Sequence, residues 1–281
     1  MSGGTTTVIN STLAGIIKQA QRSKKIDRIY AGVPGILGAL NEQLVDLTEM
    51  DDPSLQYLKM TPGSGFIGTT RITPLSSQEL ERLYAVFQAY HIGYFINIGG
   101  NGTIKQTQQV GDEFEALSIR VIAAPKTVDN DLGDEEFDKV YFTPGFPSCV
   151  QYWLHKCHLL NQDNQGAYSH DQVLIAQTFG RKTGFIAGCV RAADPDRQLP
   201  LMILLPEDQQ SEDRVLEEVE KCLSRFSRTI IVLSEGYEFG DLGEEFDHSG
   251  QVMYGSSKIT AAQLLVNNCI VQNHSFFSEL I

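Results

Sequence analysis

Apolar positions along this 281-residue chain fall into two alternating patterns. Short, nearly continuous apolar runs bounded by polar or glycine residues predict strands over Arg28–Gly32, Tyr94–Ile98, Arg120–Ala124, Val173–Gln177, Leu201–Leu205 and Thr229–Leu233. Between them, apolar residues recur every third or fourth position. That spacing predicts helices over Val8–Arg22, Gln78–Tyr90, Thr103–Val110, Ser148–Leu160 and Asp213–Phe226, with a helix-like stretch at Ala261–Ile270. The second of these helices is announced by Ser76 standing three residues before Glu79, the spacing of a capping box. Strands alternating with helices imply βαβ units in a mostly parallel, helix-covered sheet. No repeat, low-complexity tract or linker interrupts the pattern. The glycine- and proline-containing segment Thr143–Pro147 marks a change of domain, with a return near Asp247–Gly250.

Composition narrows the class. A chain of this length with 42% hydrophobic residues can bury the core of one large or two medium domains. Its formal charge of −13 argues against a nucleic-acid-binding or anionic-membrane surface, so an anionic ligand must meet a local cationic patch. Five scattered cysteines, Cys149, Cys157, Cys189, Cys222 and Cys269, read as reduced thiols rather than a disulfide framework. No apolar run reaches the roughly 20 residues that span a bilayer, and Met1–Gly4 lacks signal-peptide character. The expected location is cytoplasmic.

The chemistry gathers where strands end. The run Tyr94–Ile98 passes directly into Gly99-Gly100-Asn101-Gly102-Thr103 and then a helix, which aims backbone N–H groups and a helix N-terminus at a bound phosphate. A plain tight turn is the competing reading. The next strand ends in Pro125-Lys126-Thr127-Val128-Asp129-Asn130-Asp131, placing a lysine and two carboxylates at the same carboxyl edge of the sheet, where open α/β folds bind ligands. A charged turn with Asx caps is the simpler alternative there.

Taken together these segments resemble the phosphofructokinase family. Gly99–Thr103 is similar to its GGDG[ST] loop, and Pro125–Asp131 to its P-[GK]-T-[IV]-D-N-D loop, a very specific match. In the same order, Ser2–Asn10 resembles the first glycine loop, Gly32–Gly38 the second, and Gly65–Arg71 the G-x-x-[LI]-G-[TS]-x-R turn. Gly180–Gly184 resembles the M-G-R-x-[AT]-G segment and Ser234-Glu235-Gly236 the strand-end [AS]-E-G. The resemblance implies a doubly wound α/β protein with mostly parallel sheets in two Rossmann-like domains. A larger donor-phosphate domain would span 1–142, a smaller sugar-phosphate domain 143–248, and 249–281 would return to the first.

The same resemblance implies roles. Asp129 would be the general base toward the sugar 1-hydroxyl, Arg71 would lie along the donor phosphates, and Lys126, the third catalytic residue, would fill the space and charge site otherwise left to a nucleotide. Gly3, Gly4, Gly100, Gly102 and Thr103 would cradle the donor. Thr127 would bind the sugar phosphate or the transferring group, Asp131 would help hold the sugar or metal, Phe179, Gly180, Arg181 and Glu235 would hold fructose 6-phosphate, and Mg²⁺ would bind near Asn101. Family members are usually homo-oligomers.

Departures from the family pattern leave alternatives open. Asn101 replaces an aspartate that organises Mg²⁺ in many members, Phe179 replaces a methionine, and Gln172 stands about where an arginine often reaches a neighbouring subunit. Lys126 is the residue tied to pyrophosphate as donor, and Thr7–Gly15 resembles the opening of pyrophosphate-type members. Gly102, by contrast, is the small residue of the ATP-using loop. Pyrophosphate leads and ATP remains the alternative. Only Met1 precedes the first glycine loop, and Ile281 follows soon after Tyr254–Lys258, so both ends are expected to be cut relative to the family. A non-catalytic phosphate-binding homologue is a further reading. An NAD kinase-like enzyme would share the GGxG[ST] loop but not Pro125–Asp131. His155, Cys157 and His158 do not share one helix face and do not read as a metal site. His91 and His170 read as ordinary histidines, Trp153 with Tyr152 and Leu154 as core, and Asp134–Glu136 and Asp241–Glu245 as solvated loops.

Overall fold

The computed structural model describes residues 1–63, 65–114, 117–132, 140–246, 252–254 and 257–272, with side chains of the last helix described through Asn267. The chain divides into two compact units, Met1–Thr127 with Asp247–Gln251, and Val128–Phe246 with Val252–Ile281.

In the first unit the elements are α1 (Thr7–Arg22), β1 (Tyr30–Gly32), α2 (Gly35–Leu40), β2 (Leu44–Asp46), α3 (Asp52–Met60), α4 (Ser77–Ala89), β3 (Tyr94–Gly99), α5 (Asn101–Phe114) and β4 (Arg120–Pro125). β3 and β4 pair in parallel from Tyr94 opposite Arg120 to Gly99 opposite Pro125, so both glycine- and proline-bounded turns leave the same sheet edge. β1 and β2 form a short antiparallel pair. One core cluster takes Ile9, Leu13 and Ile17 of α1 together with Leu55, Leu58 and Ile98. A second takes Leu80, Leu83 and Phe87 of α4 with Val110 and Phe114 of α5. Each such fully buried side chain contributes about 1.5–3 kcal/mol of transfer free energy. The predicted capping box is present: the Ser76 N–H donates to Glu79 Oε2 at 2.7 Å and the Glu79 N–H donates to Ser76 Oγ at 3.3 Å.

The second unit contains α6 (Phe146–Ala167), β5 (Val173–Thr178), α7 (Phe185–Cys189), a 3₁₀ turn at Val190–Ala193, β6 (Leu201–Leu204), α8 (Glu212–Phe226), β7 (Thr229–Ser234) and α9 (Ala261–Gln272). Its three strands are parallel in the order β5-β7-β6. All six residues of β7 are buried. Alternation along it divides them between two cores, with Ile231 and Leu233 packing among Val215, Val219 and Leu265, and Ile230 and Val232 among Cys157, Ala187, Val190 and Leu201. Helices thus cover both faces of a parallel sheet, as the βαβ pattern predicted.

The differences from expectation are local. β3, β4, β5 and β7 each run one residue further, to Gly99, Pro125, Thr178 and Ser234, and β1 starts only at Tyr30. α5 begins at Asn101, so Asn101 and Gly102 belong to its first turn and only Gly100 lies between strand and helix. α6 begins at Phe146, which moves Pro147 from the expected domain change into a helix first turn, a position that tolerates proline. α2, β2, α3 and α7 were not anticipated. The expected return near Asp247–Gly250 and the acidic run Asp134–Glu136 lie outside the described residues.

Candidate functional site

In the first unit, three glycine backbones converge on one lysine. The Ser2 N–H donates to Ile98 O at 2.9 Å and the Gly3 N–H to Thr70 O at 3.1 Å, which fixes the first glycine loop beside the end of β3. Gly3 has φ +85°, a left-handed conformation that favours glycine. A Cβ on Gly3 would stand 3.7 Å from Lys126 Nζ and 3.9 Å from the Gly100 nitrogen, and one on Gly4 would stand 3.8 Å from the same Nζ. Lys126 follows β4, where its N–H donates to Gly99 O at 2.9 Å, and its side chain is only 4% exposed. A buried ammonium is costly in an apolar setting. Here it is set among bare backbone at the N-terminus of α5, a setting that favours an anion through both the lysine charge and the helix dipole. Thr103 and Thr127 are buried beside this region in sequence, Asn101 and Gly102 are half-buried, and Arg71, next to Thr70, is exposed. A Cβ on Gly102 would meet nothing within 4 Å, so open space adjoins the first turn of α5.

In the second unit, the acidic loop meets the strand ends of β5 and β7. Asn130, between Asp129 and Asp131, is buried with φ 59°. Its Nδ2 donates to Tyr141 O at 3.2 Å and its Oδ1 accepts from the Thr143 N–H at 2.9 Å. The Thr183 hydroxyl lies 3.0 Å from Asp129 O and 2.8 Å from Gly180 O, able to donate to either. Gly180 and Arg181 both have positive φ, 138° and 53°. That turn aims the Arg181 N–H at Glu235 Oε1, 3.0 Å away, while Ser234 Oγ reaches the carbonyls of Arg181 and Thr183 at 3.2 and 3.1 Å. Burial pushes the Glu235 carboxyl above the usual carboxylate range; the Arg181 N–H opposes this and the charge of Asp129 adds to it. Tyr254, raised chiefly by burial, also feels Glu235 and Arg181.

The structure therefore brings Gly3, Gly4, Gly100 and Lys126 together in one unit, and Asp129, Gly180, Arg181 and Glu235 together in the other. Phe179 is largely exposed and Asp131 half-buried. Gln172 precedes β5, with its carbonyl accepting from Thr229 N–H at 2.8 Å. Asn130, Thr183 and Tyr254 were missed as site residues. An asparagine between two aspartates, a residue type that tolerates a left-handed backbone, was the readable signal for the first; the other two depend on long-range packing. Cys157 points into the core whereas His155 and His158 are exposed. Trp153 packs against that core as expected, but its neighbour Tyr152 is exposed.

Residues 1–269 match the family model described as Phosphofructokinase. The chain belongs to the phosphofructokinase family. It is 31% identical over 237 residues to the pyrophosphate--fructose 6-phosphate 1-phosphotransferase of Rhodospirillum rubrum, covering 83% of this chain and 56% of that one. The crystal structure of pyrophosphate-dependent phosphofructokinase from Nitrosospira multiformis superposes with a TM-score of 0.81 at 32% identity, covering 97% of this chain and 65% of that one. An ATP-dependent 6-phosphofructokinase of Trypanoplasma borreli is 28% identical over 280 residues, covering 97% of this chain and 52% of that one. This phosphofructokinase chain thus spans between about half and two thirds of the length of these relatives. The doubly wound α/β fold expected from the motifs is the fold observed. No described helix is long and apolar enough to cross a membrane.

Proposed function

We propose that this chain carries the donor-phosphate and sugar-phosphate loops of a phosphofructokinase that transfers a phosphoryl group from pyrophosphate to the 1-hydroxyl of fructose 6-phosphate. The observation that carries the reading is the buried Lys126 ammonium set against Gly3 and Gly4. A fixed positive charge inside a backbone cradle suits a compact dianionic group, and it occupies room that a nucleotide donor would need.

In the proposed reaction the 1-hydroxyl oxygen forms a new bond to phosphorus as the bridging P–O bond of pyrophosphate breaks. The hydroxyl proton passes to the Asp129 carboxylate, and inorganic phosphate leaves. Lys126, Arg71 and the N–H groups of Gly3, Gly4, Gly100, Gly102 and Thr103 neutralise and orient the donor. Thr127, Asp131, Phe179, Gly180, Arg181 and Glu235 receive the sugar phosphate. Positioning is the main contribution of such residues, since phosphoryl transfer needs little covalent chemistry from the protein.

Enzymes of this family generally use a divalent metal. Among the described residues no three His, Cys, Asp or Glu side chains gather into a metal-binding group. That sparse donor set fits Mg²⁺, which keeps several waters and binds mainly through phosphate oxygens with one or two protein ligands. Asn101 would offer its amide oxygen, and the bound ion would offset charge on the donor phosphates. The reading includes a homo-oligomer in the cytoplasm.

The space in front of Gly102 favours ATP as the second reading. Fructose 1,6-bisphosphate formation, measured with Mg²⁺ and either donor on this chain and on Lys126→Gly, separates the two. Turnover with pyrophosphate that shifts toward ATP in Lys126→Gly supports the proposal. Turnover with ATP alone moves the assignment to ATP, and no turnover with either favours a phosphate-binding homologue.

A further inference from the structure

A buried polar network runs behind the turn that joins β3 to α5. Asn97 of β3 and Gln106 of α5 are both sealed from solvent. The Asn97 Nδ2 donates to Gln106 Oε1 at 2.9 Å, and the Gln106 Nε2 donates to Ile72 O. With its oxygen engaged by Asn97, the Gln106 amide cannot turn over without setting donor against donor, so its NH₂ stays aimed at Ile72. A methionine would fill the same length with no polar group to satisfy, so packing alone does not account for the two amides.

The carbonyl they reach flanks Arg71. Residues 71–76 form no helix or strand, so their path is set by whatever grips the backbone. On the amino side of Arg71, Thr70 O accepts from the Gly3 N–H at 3.1 Å and from the Ser2 hydroxyl at 2.6 Å. On the carboxyl side, Ile72 O accepts from Gln106; the Thr73 hydroxyl, 2.7 Å from the same oxygen, ties the segment only to itself. The exposed Arg71 is therefore gripped at both neighbouring carbonyls, by the first glycine loop and by the helix that follows the second. Gln109 repeats the device further along: its Nε2 donates to Leu75 O at 2.7 Å and its Oε1 accepts the Leu75 N–H at 3.0 Å.

We propose that Gln106 is a positioning residue for phosphoryl transfer: through Ile72 O it sets Arg71 in register with the Gly99–Thr103 turn, while Asn97 orients the Gln106 amide. The assignment rests on the reading of that turn as the donor-phosphate loop. A guanidinium that stabilises developing charge works at a fixed distance, and a misplacement of about 1 Å can cost on the order of 10²-fold in rate.

The test is a double-mutant cycle on fructose 1,6-bisphosphate formation with the donor the parent uses, comparing the parent chain, Gln106→Met, Arg71→Ala and the pair. Gln106→Met should lower kcat about 10–100-fold with the KM for fructose 6-phosphate within about threefold, and should cost less than about threefold once Arg71 is alanine. Gln109→Met should keep kcat within about threefold of the parent. Equal losses in both Arg71 backgrounds, or parental kcat in Gln106→Met, overturn the proposal. Where Gln106→Met does not fold, Asn97→Ala carries the same cycle, with an expected loss of about 3–10-fold that also vanishes without Arg71. Trypsin gives a readout without turnover: cleavage of the native protein between Arg71 and Ile72 should be about tenfold faster in the same variant, with cleavage after the exposed Lys24 and Lys25 unchanged. A uniform rise at all three sites, or none after Arg71, overturns the proposal. If the parent turns over neither donor, the functional reading fails, and the trypsin comparison still decides whether Gln106 holds Arg71.

Discussion

Replacing Asn130 tests how the acidic loop is held. Its side chain is 5% exposed, accepts the Thr143 N–H at 2.9 Å and donates to Tyr141 O at 3.2 Å, and its backbone sits at φ 59°. In Asn130→Ala the Thr143 N–H, on a residue 1% exposed, loses its acceptor, a penalty of about 1–3 kcal/mol. An alanine held left-handed adds about 1–2 kcal/mol, because its Cβ crowds the following carbonyl. Together these give about 2–5 kcal/mol, and at roughly 2–4 °C per kcal/mol for a chain of this size they imply a Tm lower by roughly 4–20 °C. Asn130→Gly removes the same hydrogen bonds but accepts the φ, so it should lose about 1 kcal/mol less than alanine. Urea and thermal unfolding of the three proteins read both differences. If both variants fall within about 0.5 kcal/mol of the parent, the staple carries no energy and the reasoning fails. Equal losses for alanine and glycine would remove the conformational part alone.

Gly99→Ala should cost about 1–3 kcal/mol or more, since its Cβ would overlap Thr103 Oγ1 and lie 2.6 Å from Ser2 O, whereas Gly100→Ala, 3.5 Å from Lys126 O, should unfold close to the parent; chemical denaturation distinguishes them. Glu235→Gln should stabilise the protein at pH 7, because burial raises the pKa of Glu235 and the folded state therefore prefers it protonated. As pH falls from neutrality through the raised folded pKa toward the usual carboxylate range, the parent should gain on the variant until the gap closes, and Tm against pH for the two proteins checks the sign. Cys149 and Cys189, pushed up to about 11 mainly by burial, hold roughly one thiolate in a thousand at pH 8, so alkylation of the native protein followed by peptide mass spectrometry should find both largely unmodified.

The parallel pairs were readable because strands buried on both faces are continuous apolar runs, and Tyr94–Ile98 and Thr229–Leu233 have no competing pattern. Their carboxyl ends, and hence the two phosphate-loop segments, followed directly. What escaped was set by contacts distant in sequence. α2 contains Gly35 and Gly38, which argue locally against a helix; a Cβ on Gly38 would overlap Val33 N, so packing rather than propensity places glycine there. α3 did carry a signal in Asp51, whose side chain accepts the Ser54 N–H at 2.9 Å ahead of Pro53 in the first turn, but its short apolar stripe of Leu55 and Leu58 left it unnoticed. In the site, the glycine loops were legible as motifs. The Arg181 N–H bond to Glu235 Oε1, across 54 residues, was not, because it arises from a left-handed turn meeting a strand end.

The order β5-β7-β6 has a consequence for synthesis. The strand that shares an edge with each of the others is the last of the three to be made, so a nascent chain that has released Val173–Thr178 and Leu201–Leu204 holds two apolar segments that pair with each other nowhere in the finished sheet. Both wait for Thr229–Ser234, and at about 5–20 residues per second the 30 residues from Leu204 to Ser234 take on the order of seconds. Through that interval the exposed edges are open to pairing with neighbouring chains, so yield of folded protein should respond to translation speed and chaperone supply more than to the final stability of the sheet.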